Sequence, residues 1–575
     1  MILILIASAY ITILCWCWGL MLFKIFQAIS NEQTTVETNG IVICFSGLAL
    51  IGVIFTMLSF FLPLGGLVAH ACLALPAIIY SAIFKKEISV FITQYITSFK
   101  NFQPFLAILL IALVAVILLM GAYRINHPDT LHYHAQCIKW IQDYRAVPGL
   151  ANLGYHYGLQ SSWFIVSALF SFKFSGFTSL TFANCTVIFW LIFFCVSRIN
   201  ECFKNKNSQS PQIFRGIMWL LLLIASFWSY TQVRLTATSA SPDFIAVLYI
   251  WLIFFLAAQH GRANLTDAKL LLLVFISLFA ITIKLSSLPV ILLALYYYRF
   301  SIARKSIAFF RLATCVFVVC LPSIIRNIIT SGYPLFPVAT ADFFDVEWKI
   351  PKEILFMRLN YIGTYARLGD TTHGLNVDVI SKMSLTDWIP IWWHNRSLAD
   401  KAILSGLLVL FSGNPLFFRK IPFATRQTYL PLLFFSITGL IFWFVQAPDP
   451  RFGFGFIIVS EGILMHLLSS SFLQKFQFDK KIFKGSLLLF AAVLICYSVY
   501  RAAHFFRPQN ILMPSGIVKL PFKTIQCRGV KINLPVDGLG CGDSELPCVY
   551  ENCTEFIFRG PNIGDGFKPA NGHSR

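Results

Sequence analysis

The chain has 575 residues, of which 57% are hydrophobic and only 12% charged, with a formal net charge of +20. That balance excludes an ordinary soluble globular protein and predicts an all-α polytopic membrane protein. The basic residues stand in short clusters between apolar runs, where the positive-inside rule expects them, so the charge implies a lipid bilayer and no nucleic acid.

Spans are predicted first over 2–23, 40–63, 66–84 and 104–123. The first has no basic leader or small-residue cleavage site before it turns polar and is read as retained. Lys85, Lys86 and Lys100 put the loop before 104–123 in the cytoplasm, so residues 124–157 fall outside. Residues 158–174 are apolar, short and Ser-rich, and the cluster Arg198, Lys204, Lys206 and Arg215 must again be cytoplasmic. Parity then makes 158–174 a helix lying at the outer interface and 178–197 the fifth span.

Later basic loops carry Arg262 and Lys269; Arg299, Arg304 and Lys305; Arg419, Lys420 and Arg426; and Lys475, Lys480, Lys481 and Lys484. Their alternation with uncharged loops gives about fourteen spans at ~20 residues each. It leaves four segments on one outer face: the 124–157 loop, the 231–243 turn, the long segment 326–400 and the tail from 503. The tail is rich in Gly and Pro and holds Cys527, Cys541, Cys548 and Cys553, which predict one or two disulfides, with a zinc site as the rival.

Charge is scarce in this chain, so charge at span ends needs a reason. Asp129 follows the exit of 104–123 and precedes a turn with His132, Tyr133 and His134; His127, Arg145 and His156 lie near it. A half-buried carboxylate there can take a proton from a hydroxyl, although PDT before an amphipathic run also reads as a helix cap. His132 and His134 are two apart and point to different helix faces, so no metal set is assigned. Asp243 in SPDFIAVLY starts a helix and stands at the rim of the bundle. Lys284 interrupts two apolar runs and either snorkels or binds an anion. Arg326 opens RNIITSGYPLFP, where an irregular loop suits a phosphate fork. Arg451 in PDPRF has Asp449 beside it, which reads as a local ion pair or as a third anion-binding cation. The Trp-rich run DWIPIWWHNRS at 387–397 predicts an amphipathic helix at the interface or along a cleft.

Taken in order, Asp129, Asp243 in SPDFIAVLY, Lys284 in KLSSLP and PDPRF resemble the C-type (GT-C fold) membrane glycosyltransferases, which use polyprenyl-phosphate-linked sugars. The chain also resembles a group of bacterial multi-pass proteins with a D-x-x-x-YH-x-Q loop, VPGLANL, an RN…G-x-P-x-x-P loop and a Cys-rich tail. The resemblance covers roughly 104–575. It departs from the transferase pattern in its first three spans and in a single Asp129 where an adjacent acidic pair is usual.

The resemblance implies a GT-C-like bundle over 104–503, with external loops 124–177 and 326–400, added N-terminal helices over 1–103, and an external tail over 504–575. It implies inverting transfer of a sugar to a lipid, glycan or protein acceptor at the outer face of the bacterial cytoplasmic membrane. Asp129 is then the general base, oriented by His132 or His134, with Asp243 positioning acceptor or base. Lys284, Arg326 and Arg451 hold the donor phosphate, and Tyr133 and His156 line the acceptor cleft. No cofactor is assigned, and a divalent cation is left open. The alternatives are a transporter or flippase of lipid-linked glycans, and an oligosaccharide polymerase or ligase.

Overall fold

A computed structural model describes residues 1–575 apart from 32–38, 101, 126, 205–209, 261–265, 305, 370–376, 418–420, 472–478, 506, 519, 537–539, 550–554 and 571–575. The chain is mostly helical. Among the described residues, eight helices are long and apolar enough to cross a membrane: Ile2–Ser30, Gly40–Leu58, Pro104–Ala122, Phe182–Lys204, Ile307–Ser331, Phe423–Gln446, Pro450–Ser470 and Lys480–Phe505. Shorter helices, among them Leu67–Ile83, Asp243–His260 and Asp267–Ile283, pack between them. Lys85–Lys100, part of the loop expected on the basic side, is itself a helix, with Glu87 taking an ion pair from Lys24 at 2.9 Å.

The first two helices are joined by glycine contact. A Cβ at Gly19 would lie 2.0 Å from the Ile43 carbonyl oxygen, and one at Gly47 would lie 1.7 Å from that of Cys15. Only hydrogen fits at either position, which lets the two backbones approach as small-residue pairs do in apolar helix packing. These N-terminal helices share one core with the rest. Thr186 donates to Ser8 Oγ at 2.9 Å, Trp190 Nε1 to Thr12 Oγ1 at 2.9 Å, and Tyr249 to the Phe45 carbonyl at 2.8 Å.

Residues 158–174 do not lie flat at an interface. Ser162–Leu169 is a short helix buried along its whole length, with Trp163 fully enclosed. Its serines explain this. Ser161 accepts from Trp163 N and donates to the Ile283 carbonyl at 2.8 Å, and Ser162 donates to Thr282 Oγ1 at 2.9 Å. The hydroxyls tie a plug to the end of Asp267–Ile283, where they satisfy polar groups that burial would leave costly. Leu385–His394, within the Trp-rich run, is a helix with a capping box at Ser384 and Asp387 and with Trp388 and Trp392 buried.

The tail departs from the all-helical expectation. Phe522–Cys527 pairs antiparallel with Val530–Pro535 across Arg528 and Gly529, both at positive φ, as a two-residue hairpin turn of this type requires. Phe556–Phe558 pairs with Phe567–Pro569, and Cys541 is disulfide-bonded to Cys548. Cys553 lies outside the described residues. The tail docks on the 124–157 loop: Gln136 Nε2 donates to the Gly542 and Ser544 carbonyls at 3.1 and 2.9 Å, and Tyr157 donates to the Cys548 carbonyl at 2.8 Å. The 326–400 segment joins the same face, with Asn152 Nδ2 donating to the Trp348 carbonyl at 2.8 Å and Asp400 accepting from Ser229 at 3.2 Å.

Candidate functional site

Four helix ends meet on that face. The Pro104–Ala122 helix leads into Asp129, Asp243 starts Asp243–His260, Lys284 follows Asp267–Ile283 as its C-cap, and Arg451 lies in the first turn of Pro450–Ser471. The helix dipole favours Asp243 at an N-terminus and Lys284 at a C-terminus. It disfavours Arg451 at an N-terminus, so carboxylates must compensate for that cation.

They do so directly. Arg451 Nη1 donates to Asp129 Oδ2 at 3.0 Å, and its Nε lies 3.1 Å from Asp243 Oδ2. Lys284 Nζ bonds to the other Asp243 oxygen, Oδ1. One guanidinium thus bridges two carboxylates, and an ammonium closes the row, in an arrangement of no net charge. Phe452 forms an aromatic floor, with its ring centroid 3.7 Å from Lys284 Nζ and 4.8 Å from Arg451 Cζ. Exposure is graded: the Asp243 side chain is 8% exposed and that of Asp129 33%, so Asp129 is the acid nearer the opening.

Neither aspartate is a simple cap. The Asp129 side chain makes no capping bond, and at Asp243 the Ser241 hydroxyl accepts from the Asp243 backbone N–H. Asp449 does not take the Arg451 guanidinium as a local turn pair. Its Oδ1 accepts from the Arg451 backbone N–H at 2.9 Å, and its Oδ2 lies 3.5 Å from Arg396 Nη1.

Arg326 stands apart from this row. Its Nε donates to Gln160 Oε1 at 2.9 Å and its Nη1 to Ser59 Oγ at 2.6 Å, and the residue is buried. An arginine held by two neutral side chains fixes the 158–160 segment against the end of Gly40–Leu58.

Histidines and tyrosines pack behind Asp129. His134 Nδ1 is 2.9 Å from Thr130 Oγ1, His132 meets His156 edge to face at 4.6 Å, and Tyr133 stacks on His156 at 5.3 Å. His127, absent from the roles assigned by sequence, is wholly buried 5.5 Å from the His134 ring, and neither of its ring nitrogens has a hydrogen-bond partner among the described residues. Only its nearness to Asp129 in the chain marks it.

Burial pushes all four histidines down, His134 and His156 to about 3, with the neighbouring His127 adding to the effect at His134 and His132 at His156. All four are neutral imidazoles at neutral pH. Burial alone would raise Asp129, but Arg451, with His127, His134 and Lys284 behind it, outweighs burial and holds the carboxyl well below the usual carboxylate range.

Among the described residues no group of three or more His, Cys, Asp and Glu is placed to hold a metal. The two aspartates a divalent ion would use are already neutralised by Arg451 and Lys284, so the residues present do not fit a resident divalent ion.

The fold and these side chains define a mostly helical protein with long apolar helices and a buried ion-pair row where four helix ends meet. Residues 1–458 match the domain of unknown function DUF8201, and the chain belongs to that family. All four residues of the row lie inside the matched region. No curated protein and no solved structure matches the chain.

Proposed function

We propose that the protein is a membrane glycosyltransferase that moves a sugar from a polyprenyl-phosphate-linked donor to a lipid, glycan or protein acceptor. The observation that supports this reading is the Asp129–Arg451–Asp243–Lys284 row, which combines the most open acid with two cations. In the reaction an acceptor hydroxyl attacks the anomeric carbon from the face opposite the phosphate. The bond from that carbon to the phosphate oxygen breaks, the hydroxyl proton passes to Asp129, and the phosphate leaves as an anion held by Lys284 and Arg451.

Asp129 paired to Arg451 is a weak base. A donor phosphate competes for the same guanidinium, and as Arg451 turns toward it the carboxyl regains basicity beside the acceptor. Donor binding therefore readies the base. Asp243 keeps Lys284 and Arg451 in place, neutral His132 or His134 orients Asp129, and Tyr133 and His156 line the acceptor side. Arg326, satisfied by Gln160 and Ser59, is assigned to holding the loop.

The same reading puts the row at the outer face of the bacterial cytoplasmic membrane, with basic loops inside. Six further helices, Leu67–Ile83, Ser210–Trp228, Asp243–His260, Asp267–Ile283, Val290–Arg304 and Leu398–Phe417, join the eight long ones to give about fourteen spans. The 15 to 20 residues of these six extend roughly 23–30 Å, short to adequate for an apolar core of ~30 Å.

The test supplies purified protein with polyprenyl-phosphate donors labelled in the sugar. The proposal expects label to leave the lipid and appear on an acceptor. Label that crosses a bilayer while still attached to its lipid would support the transporter reading instead.

A further inference from the structure

Away from the ion-pair row, a cavity of about 680 Å³ opens among Phe182–Lys204, Ser210–Trp228, Asp243–His260, Phe423–Gln446 and Pro450–Ser471. Ile458, Glu461 and His466 line it, and they lie roughly 10, 15 and 22 Å along the helix from Arg451 at 1.5 Å per residue. It therefore occupies the end of the bundle opposite the row.

Its wall is aromatic and aliphatic, with Met218, Trp219, Leu222, Trp251 and Phe254 prominent, and its size lies within the range of small-ligand sites. Polar groups gather toward one end. Arg198 lies over the Phe194 and Phe255 rings at 5.2 and 5.1 Å and pairs with Glu201 at 3.3 Å, which leaves the exposed Arg215 as the unbalanced charge at the rim. Glu461 sits deeper. Its Oε1 faces helix Leu398–Phe417, 3.3 Å from where a Cβ at Gly406 would stand.

We propose that this cavity holds an acyl chain of an anionic glycerophospholipid, with the phosphate at Arg215 and Arg198. The apolar wall takes the chain, and the cationic rim supplies the charge an anionic head group needs. This site is independent of any transfer chemistry at the other end.

Full-length protein in nanodiscs is released into native mass spectrometry after exposure to phosphatidylglycerol or to phosphatidylcholine with the same chains, with and without inorganic phosphate. The wild type is expected to retain phosphatidylglycerol about tenfold over phosphatidylcholine, a preference worth ~1.4 kcal/mol, and to keep it when inorganic phosphate is present. Arg215→Glu, a change at an exposed residue, should abolish the preference. Gly462→Leu should abolish retention of both lipids, because a Cβ there meets only Met218 Cε, at 3.7 Å, and the longer side chain enters the cavity. Should Gly462→Leu fail to fold, Arg215→Glu decides alone. Equal retention of the two lipids by the wild type, an unchanged preference in Arg215→Glu, or displacement by inorganic phosphate would each overturn the lipid site.

Discussion

Arg451 Nη1 and Asp129 Oδ2 are 3.0 Å apart although 322 positions separate the residues in the chain. That bond closes the row that Asp243 and Lys284 continue, and it makes one guanidinium answerable to two acids.

Replacing Arg451 tests that double duty. Arg451→Lys keeps the charge but offers a compact ammonium that cannot reach two carboxylates in the fixed geometry of a guanidinium. Transfer from a polyprenyl-phosphate donor should fall at least ~10-fold in Arg451→Lys and by about 10²–10³ in Arg451→Ala. Initial rates of sugar transfer measure both, and equal rates in the two variants would argue against a bridging role.

Asp243 and Lys284 should be coupled in stability. Asp243→Asn alone leaves Lys284 without its carboxylate and Lys284→Met alone leaves the row one negative charge in excess, whereas the double variant removes both charges. The double-mutant cycle should give a coupling of about 0.5–3 kcal/mol, read from denaturant unfolding of the purified protein. Additive losses would mean that the Lys284 to Asp243 contact contributes nothing.

Stability should fall as pH falls. The four histidines near Asp129 have folded pKa values below the ~6.5 of an unfolded histidine, so between ~6.5 and about 3 the unfolded chain binds more protons. Their contribution is complete above ~6.5 and is lost toward about 3. Asp129, also depressed, acts in the same direction below ~3.9. Thermal unfolding midpoints should therefore drop steadily from pH 7 to pH 4, and His134→Gln with His156→Gln should flatten the drop. A flat wild-type profile contradicts the buried neutral histidines.

Gly47→Val should destabilise the bundle without touching the row. A Cβ there already overlaps the Cys15 carbonyl, so the first two helices must separate, at a cost of about 1–3 kcal/mol or more. The unfolding midpoint should fall while the transfer rate per folded molecule stays near wild type.

Much of the row was legible in the chain because charge is rare there: Asp243, Lys284 and Arg451 each stand at a helix end beside an apolar run, and Asp129 follows shortly after one. Their pairing was not legible, since periodicity reports one helix at a time and these partners come from different helices. Arg326 shows the limit from the other side. The helix Ile307–Ser331 runs past Arg326, so no irregular loop opens there, and an arginine near a helix end has the same sequence context whether it faces a phosphate or, as here, Gln160 and Ser59. The run 158–174 failed for a related reason. Eight apolar residues with serines fit an interface or a core equally well, and only the partners Thr282 and Ile283 make Ser162–Leu169 a buried plug. Asp449 misled by proximity, because a neighbour in sequence took the backbone N–H of Arg451 and left its guanidinium to distant acids.

Asp129→Asn offers the most direct measurement of the central claim, that this carboxyl receives the acceptor proton beside a phosphate-holding pair of cations. The change keeps the shape and removes the base. The account predicts a loss of about 10²–10⁴ in the rate of sugar transfer at saturating donor, with donor binding retained. Full turnover by Asp129→Asn would contradict it.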